Sequence, residues 1–469
     1  MSHRDKAGRA QRLNAGLLRV ALQWLSRGID WSAIRWRADC TWSPGLLAAA
    51  ALVWAWSDES NLGTRFVAAR RIAGFLFPSQ GKIAGSYQAF IKMLVRWTPA
   101  LVPLIQAALR ARMQADLAAV WRVGGRLLFG IDGSKIELPR TVSNQRAYAP
   151  ARRKKKGKRK SKLRRRRPRR GGAGLKKADT PQLLMTTVWH VGTGLPWSWR
   201  TGGSYQSERA HAREMLPDVP AGAILAGDAG LVGYDWIRTT HAGGRHVLVR
   251  VGSNVRLLTR LGRVREHGGI VYLWPQEAQQ KSLPPVVLRL VVAHNGRHPV
   301  YLVTTLLDRG DCPDREVIEM YRRRWGIEVY HRGLKQTYQR RKLRSRSAAA
   351  AHVELEWSLV GLWAMSLYAL VQIRRDGQPP RRLSCARLLE AFRRTLRDYL
   401  HPVRRGATLC DLLRRAVIDP YRRKNKTSRA YPRKKNESPP GPPTITRASA
   451  QQVATAKQLR NQAATGLTA

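Results

Sequence analysis

Two short apolar runs, each closing on an aspartate, constrain this chain more than any other feature. Arg126-Leu-Leu-Phe-Gly-Ile-Asp132 is followed by Gly133-Ser134, and Ala223-Ile-Leu-Ala-Gly-Asp228 by Ala229-Gly230. Apolar runs of this length bounded by turn residues read as buried strands, each delivering a carboxylate at its C-terminal end. If the two strands are parallel neighbours, Asp132 and Asp228 emerge side by side at the carboxyl edge of an open α/β sheet, where sites in such sheets lie. Taken alone, either aspartate is more simply a turn former or a helix cap.

The pattern around them is regular. Residues 183–191 and 195–199, separated by Gly192-Thr193-Gly194, read as a hairpin. Ser204 or Ser207 is placed to cap a helix carrying Ala210, Ala212, Met215 and Leu216. A helix from about residue 231 to 241 and a strand over 245–251 follow the second aspartate. Residues 256–308 are nearly all β in pattern and read as an inserted sheet. Tyr321-Arg-Arg-Arg-Trp-Gly-Ile-Glu328-Val-Tyr-His-Arg-Gly-Leu-Lys335 then reads as a helix, with Pro313 suited to its approach. The run 357–373 is apolar and of borderline spanning length, but Ser358, Ser366 and Gln372 interrupt it, so a buried helix is expected. Before the first aspartate, residues 87–121 have the periodicity of two or three amphipathic helices broken at Pro99 and Pro103. The organisation expected is a helical, DNA-binding region over 1–120 and an α/β domain over 121–375 with a β insertion at about 252–308. A helical region over 376–420 and a basic disordered tail over 421–469 complete it.

Charge narrows the partner. The chain carries 86 Lys+Arg against 30 Asp+Glu, a net charge of +56, which makes a long polyanion, and nucleic acid first, the expected partner. Between Arg152 and Arg170, 15 of 19 residues are Lys or Arg. So much like charge does not fold on its own and is expected as a disordered loop attracting phosphates through counterion release. The polar N-terminus has no secretory apolar region. Cys40, Cys312, Cys385 and Cys410 lie far apart, with no CxxC pair, and read as reduced thiols of a cytoplasmic protein rather than zinc ligands.

At about 100° per residue, Tyr321, Arg324, Glu328 and Lys335 fall within roughly 60° of one another on a helix. One face would then present a carboxylate between two cations and a phenol. Alone, such a face is a solvated stripe held by pairs such as Arg324 with Glu328. With Asp132 and Asp228 upstream, Glu328 becomes the third acid of a site. Three carboxylates so close raise one another's pKa unless cations intervene. Two Mg²⁺ ions suit hard oxygen ligands and clamp the attacking and leaving oxygens of a phosphoryl transfer. His331 lies one turn beyond Glu328, and Glu137 near Asp132 is a substitute acid without a motif.

These residues carry a specific resemblance. The Tyr-x2-Arg-x3-Glu-x6-Lys spacing of Tyr321, Arg324, Glu328 and Lys335 is similar to the signature of DDE transposases of bacterial insertion sequences, in the branch with a β-rich insertion before the catalytic Glu. Gly130-Ile-Asp132-Gly-Ser and Gly227-Asp228-Ala-Gly-Leu-Val-Gly-Tyr-Asp235 resemble that family's two Asp motifs, and Ser207-Glu-Arg-Ala-His211 the helix leading into the second. The resemblance covers about residues 125–375. It implies a ribonuclease H-like fold, with Asp132, Asp228 and Glu328 as catalytic metal ligands for Mg²⁺ (or Mn²⁺). It also implies that Arg324 and Lys335 hold phosphates with Tyr321 beside them. The implied reaction is cleavage at transposon ends and transfer of the 3′-OH into target DNA by a homodimer in a synaptic complex. Trp274, in the β insertion, would be the candidate for stacking on a flipped base, and a core tryptophan equally. The rivals are a ribonuclease H-like nuclease without strand transfer, which the intact Arg324/Lys335 pair disfavours, and a transposase-derived DNA-binding protein that has lost its chemistry.

Overall fold

The computed structural model describes residues 17–36, 40–77, 85–149, 180–294, 298–401, 407–418 and 441–465. The basic tract 152–170 lies outside them.

The first described helices, α1 (residues 17–26), α2 (Pro44–Trp56), α3 (Leu62–Leu76) and α4 (Tyr87–Asp116), form a helical layer. Helix α2 is apolar almost all round and is buried along nearly its whole length, as such a composition requires. Pro99 and Pro103 do not break α4, which runs 30 residues through both. Their spacing of four places both rings on the solvent side, where water solvates the carbonyls that lose amide partners. The opposite face, with Phe90, Leu94, Leu101, Ile105, Leu109 and Met113, holds the helix in the core.

Among the described residues, ten strands form one sheet in the order β10-β6-β7-β8-β9-β5-β4-β1-β2-β3. Strands β1 (Leu128–Glu137), β2 (Gln182–His190) and β3 (Leu195–Gly203) are antiparallel neighbours. Strands β4 (Ile224–Gly227) and β5 (His246–Val251) run parallel to β1. Strand β1 differs from the sequence expectation by continuing five residues past Asp132. It is held there by its ladder with β2, which pairs Asp132 with Thr187 and persists to Glu137 with Gln182. The expected inserted sheet is also not separate. Strands β6 (Arg256–Thr259), β7 (Ile270–Leu273), β8 (Val286–His294) and β9 (Pro299–Thr304) extend the same sheet, because β9 pairs antiparallel with β5. Residues 441–465, expected within a disordered tail, supply β10 (Thr444–Arg447), which pairs parallel with β6, and a helix (Ala450–Thr465).

Helix α11 (Ala348–Arg375) joins the helical layer to the sheet. It is buried on all sides, as the run 357–373 suggested. Its polar contacts run both ways: Trp199 of β3 donates its indole N–H to Glu356 (2.8 Å), and Trp357 donates to Thr98 of α4 (2.9 Å). Among the described residues, no helix is long and apolar enough to cross a membrane.

Candidate active site

The register of the central strands fixes the first two acids. Gly130 of β1 pairs with Ala226 of β4 in the parallel ladder, and Asp132 and Asp228 each lie two residues further on. Adjacent strands stand about 4.8 Å apart, so the two carboxylates leave the same edge of the sheet as neighbours. Asp228 accepts a hydrogen bond from the Gly230 amide (2.8 Å), capping the short 3₁₀ turn Ala229–Leu231. The capping role and a place at the site edge coexist in one residue.

The segment carrying the other four residues is not one helix. Helix α9 (Asp314–Arg323) ends at Arg324, α10 (Gly326–Arg332) starts after Trp325, and Gly333–Thr337 forms a π turn. The single-face geometry read from the spacing is therefore corrected: Lys335 reaches the site from the π turn, not one face of a continuous helix. The break lets α10 settle onto the β1–β2 pair where two glycines permit close approach. A Cβ at Gly130 would touch the Arg324 side chain and the Trp189 ring at 3.6 and 3.7 Å, and one at Gly326 would enter the Trp189 ring itself.

This docking sets the contacts of the site. Arg324 is buried, donates from Nη2 to Glu328 Oε1 (3.0 Å) and lies with its Cζ 5.5 Å from the Tyr321 ring centroid. Its Nε is buried without a hydrogen-bond partner. Glu328 remains about a third exposed, with 35% of its side chain open to solvent. The buried His331 places Nδ1 3.4 Å from Asp132 Oδ2 and Nε2 3.4 Å from Thr187 Oγ1, bridging Asp132 to its cross-strand neighbour. Burial lowers the Lys335 pKa, and the nearby Asp132 carboxylate opposes that shift. Burial raises the Tyr321 phenol, with Arg324 opposing and Asp228 reinforcing. Asp132 is thus linked to His331 and Lys335, Tyr321 to Arg324 and Asp228, and Arg324 to Glu328, while among the described residues no three acids or histidines are gathered to hold a metal ion.

A further acid was not anticipated. Glu208 opens helix α6 (Glu208–Glu214), which packs on the face of β1–β2 opposite α10, with His211 3.0 Å from Thr186. Its pKa is raised by burial first, then by Asp228 and Asp132, with Lys135 opposing. The sequence signal available was Gly133 directly after Asp132, since a Cβ there would enter the Glu208 carboxylate and stand 2.7 Å from its Cγ. Trp274, by contrast, is a core residue, 3% exposed and donating its indole N–H to the Leu283 carbonyl (2.8 Å).

Residues 124–363, the stretch that builds this sheet edge and both docking helices, match the family model described as Transposase DDE domain. The chain belongs to this transposase family. It is also 26% identical over 271 residues to "Transposase InsG for insertion sequence element IS4" of Escherichia coli (strain K12), a match covering 55% of this chain and 56% of that relative. The chain thus spans little more than half the length of that relative. A solved structure titled "Cryo-EM structure of piggyBac transposase synaptic complex with hairpin DNA (SNHP)" aligns over 87% of this chain and 86% of its own at 11% identity. Its TM-score is 0.38, too slight a likeness to define the fold.

Proposed function

We propose that the chain cleaves DNA at the ends of its own mobile element and transfers the freed 3′-OH into target DNA. The observation that carries this is the register: Gly130 pairs with Ala226 on adjacent parallel strands, so Asp132 and Asp228 follow in line, with Arg324 packed over Gly130 and bonded to Glu328. The strand order β3-β2-β1-β4-β5, antiparallel then parallel, supports the ribonuclease H-like reading of this core.

The donor set suits a hard divalent cation. Carboxylate oxygens are Mg²⁺ ligands, and Mg²⁺ is held by one or two carboxylates with water and phosphate oxygens rather than by a full protein cage. Among the described residues no three acids, histidines or cysteines are gathered as a ready metal cage. Glu328 is instead held by Arg324, and Asp228 by the Gly230 amide. Asp132 and Asp228 would hold the cation, and Glu328 would join on leaving Arg324. Bound cations supply charge neutralisation at the attacking and leaving oxygens.

The chain's own residues do the rest. Water adds to the phosphorus at the element boundary, and the bond from phosphorus to the 3′-oxygen breaks. That oxygen takes a proton to become the 3′-OH, which attacks a phosphodiester of the target in a second displacement. Arg324, freed from Glu328 and with Nε unpartnered, donates to a phosphate oxygen bidentately. Lys335 holds a second phosphate beside Asp132, and Tyr321 stacks under the guanidinium to fix its plane. His331 holds the Asp132 carboxylate in place. The net charge of +56 supplies sequence-independent attraction to duplex DNA, and two copies pairing two ends complete the assembly.

The test is a labelled duplex carrying the DNA that flanks this reading frame, incubated with the protein and Mg²⁺ or Mn²⁺. A 3′-OH at the element boundary, and its joining to an added target duplex, is expected. Cleavage without joining supports a nuclease instead, and binding without cleavage supports a DNA-binding derivative.

A further inference from the structure

Beyond Lys335 the chain turns back and lays an extended segment along the edge of β1 that β4 leaves free after Gly130. The amides of Arg340 and Arg341 donate to the carbonyls of Leu334 and Lys335 (3.0 and 3.1 Å), which brings Arg341 back beside Lys335. Glu137, at the end of β1, donates its amide to the Arg341 carbonyl (3.0 Å) and accepts from the Leu343 amide (2.9 Å), in a parallel bridge with Lys342. Leu343 and Ser345 are buried, whereas Lys342, Arg344 and Arg346, which alternate with them, are exposed, as is Arg341. In an extended chain this alternation sets the three cations on one side, roughly 7 Å apart.

A run of exposed cations is ordinarily a solvated face over a backbone of no special rigidity. Here the backbone beneath the charges is fixed by side chains that are themselves buried. Glu354 of α11, 1% exposed, accepts from the amides of Arg344 (3.0 Å) and Ser345 (2.8 Å). The fully buried Asn144 donates from Nδ2 to the Ser345 and Pro139 carbonyls (3.2 and 3.0 Å), and Thr141 Oγ1 donates to the Arg346 carbonyl (2.6 Å). A buried carboxylate is costly to place. This one holds still a short segment whose four outward cations, among the described residues, form no ion pair and no side-chain hydrogen bond. Like charges in such a row repel one another until an anion lies along them.

We propose that residues 341–346 bind one strand of duplex DNA, with Lys342, Arg344 and Arg346 each holding a backbone phosphate along the path that leads from Asp132 past Lys335. The inference rests on the reading above, in which the cut is made beside Asp132. It adds a direction and a distance. A strand rises about 3.3 Å per residue, so Glu137 stands roughly 17 Å from Asp132 along β1, and Arg346 roughly 13 Å further on. A duplex lying along that line advances about 3.4 Å per nucleotide of one strand, so the segment meets phosphates about five to nine nucleotides from the one that is cut. Contacts of this kind set register and carry no base identity. Because the backbone is already fixed, little of it has to be ordered when the duplex arrives.

The experiment uses the full chain and duplexes that span the element boundary, taken from the DNA flanking this reading frame, together with the same boundary already joined to a target duplex. Single phosphates on the element, flanking and target sides are replaced in turn by neutral methylphosphonates. Binding is measured by fluorescence anisotropy at several salt concentrations for wild type and for Lys342→Gln/Arg344→Gln/Arg346→Gln. Wild type is expected to lose about fivefold in affinity at two or more phosphates about five to nine nucleotides from the boundary on one side, and that side names the DNA held. The triple variant should bind at least about tenfold more weakly, with a salt slope of log affinity smaller by about three, and the same methylphosphonates should cost it nothing further. A triple variant with wild-type affinity and an unchanged methylphosphonate pattern would overturn the inference, and its cleavage of the boundary at the wild-type rate would leave the reading above standing. Weaker binding with the pattern retained would make the segment a source of general attraction and overturn the inference equally. The expected pattern in a protein that cleaves no boundary duplex would support the segment as a DNA contact and overturn the reading of the chemistry instead.

Discussion

Gly326→Ala probes whether close docking of α10 on the sheet is what places Glu328. A Cβ at this position would stand 2.8 Å from both Cζ2 and Cζ3 of Trp189, and nearer still to Cη2. Carbon atoms pack best at about 3.5–4.0 Å, so helix and ring must separate by roughly 1–2 Å. Trp189 is only 6% exposed and its ring is also bounded by Gly130 and Gly194, so the helix is the element that moves. Overpacking of this kind costs about 1–3 kcal/mol. The better helix propensity of alanine returns at most about 1 kcal/mol, less at a first helical position. The net expectation is a destabilisation of about 1–2 kcal/mol. Glu328 follows two residues later, so a shift on the order of 1 Å at the site should slow cleavage about 100-fold. Urea unfolding measures the first quantity and single-turnover cleavage the second, with duplex binding as the control. A Gly326→Ala protein with wild-type stability and rate would refute the proposed seating of α10. The double variant Gly326→Ala/Trp189→Leu, with room restored, should recover part of the rate.

Other expectations follow from the same geometry. His190 is fully buried, with Nε2 donating to the Trp121 carbonyl and Nδ1 accepting from the Thr193 amide; burial lowers its pKa from 6.5 to about 4. The unfolded chain binds this proton more readily, so about 3 kcal/mol of stability present above pH 6.5 is lost as pH falls toward 4. Urea midpoints between pH 4.5 and 7 should show that slope, and His190→Gln should flatten it; an unchanged slope would contradict the buried neutral imidazole. Lys335→Met should weaken duplex binding and reduce the salt slope of log affinity by about one, and an unaltered slope would remove Lys335 from the phosphate contacts. Removing residues 152–170 should weaken binding to all sequences and flatten its salt dependence, an effect visible in fluorescence anisotropy at two salt concentrations. Sequence-selective loss instead would assign the tract a reading role.

What was legible in the sequence was whatever short-range pattern determines. The apolar runs before Asp132 and Asp228 are strands because their residues fill the sheet interior. Their parallel pairing put the acids in line, as the element order suggested. What was not legible depended on partners distant in the chain. Strand β1 outruns Asp132 because β2 pairs with it to Glu137. Helix α4 survives two prolines because its buried face outweighs the lost amide bonds, while its bare carbonyls face water. The segment 321–335 breaks at Arg324–Trp325 because α10 must seat on Trp189, a contact no helical periodicity encodes. Among the described residues, the segment 256–304 joins the main sheet through the pairing of β9 with β5. Glu208 carries no signal of its own in the sequence, because it opens a short helix whose pattern marks only the approach to β4 and Asp228.

On the proposed reading Asp132, Asp228 and Glu328 do chemistry on DNA rather than merely shape a surface. Glu328→Gln is the variant to use, because the side chain is about a third exposed and the glutamine carbonyl can still accept from the buried Arg324, so the fold should survive. The measurement is the yield of 3′-OH at the element boundary, with duplex affinity determined on the same samples. Affinity within about twofold of wild type, with cleavage lost by a factor of about 1,000 or more, is the predicted result. A Glu328→Gln protein that cleaves as the wild type does would contradict the account.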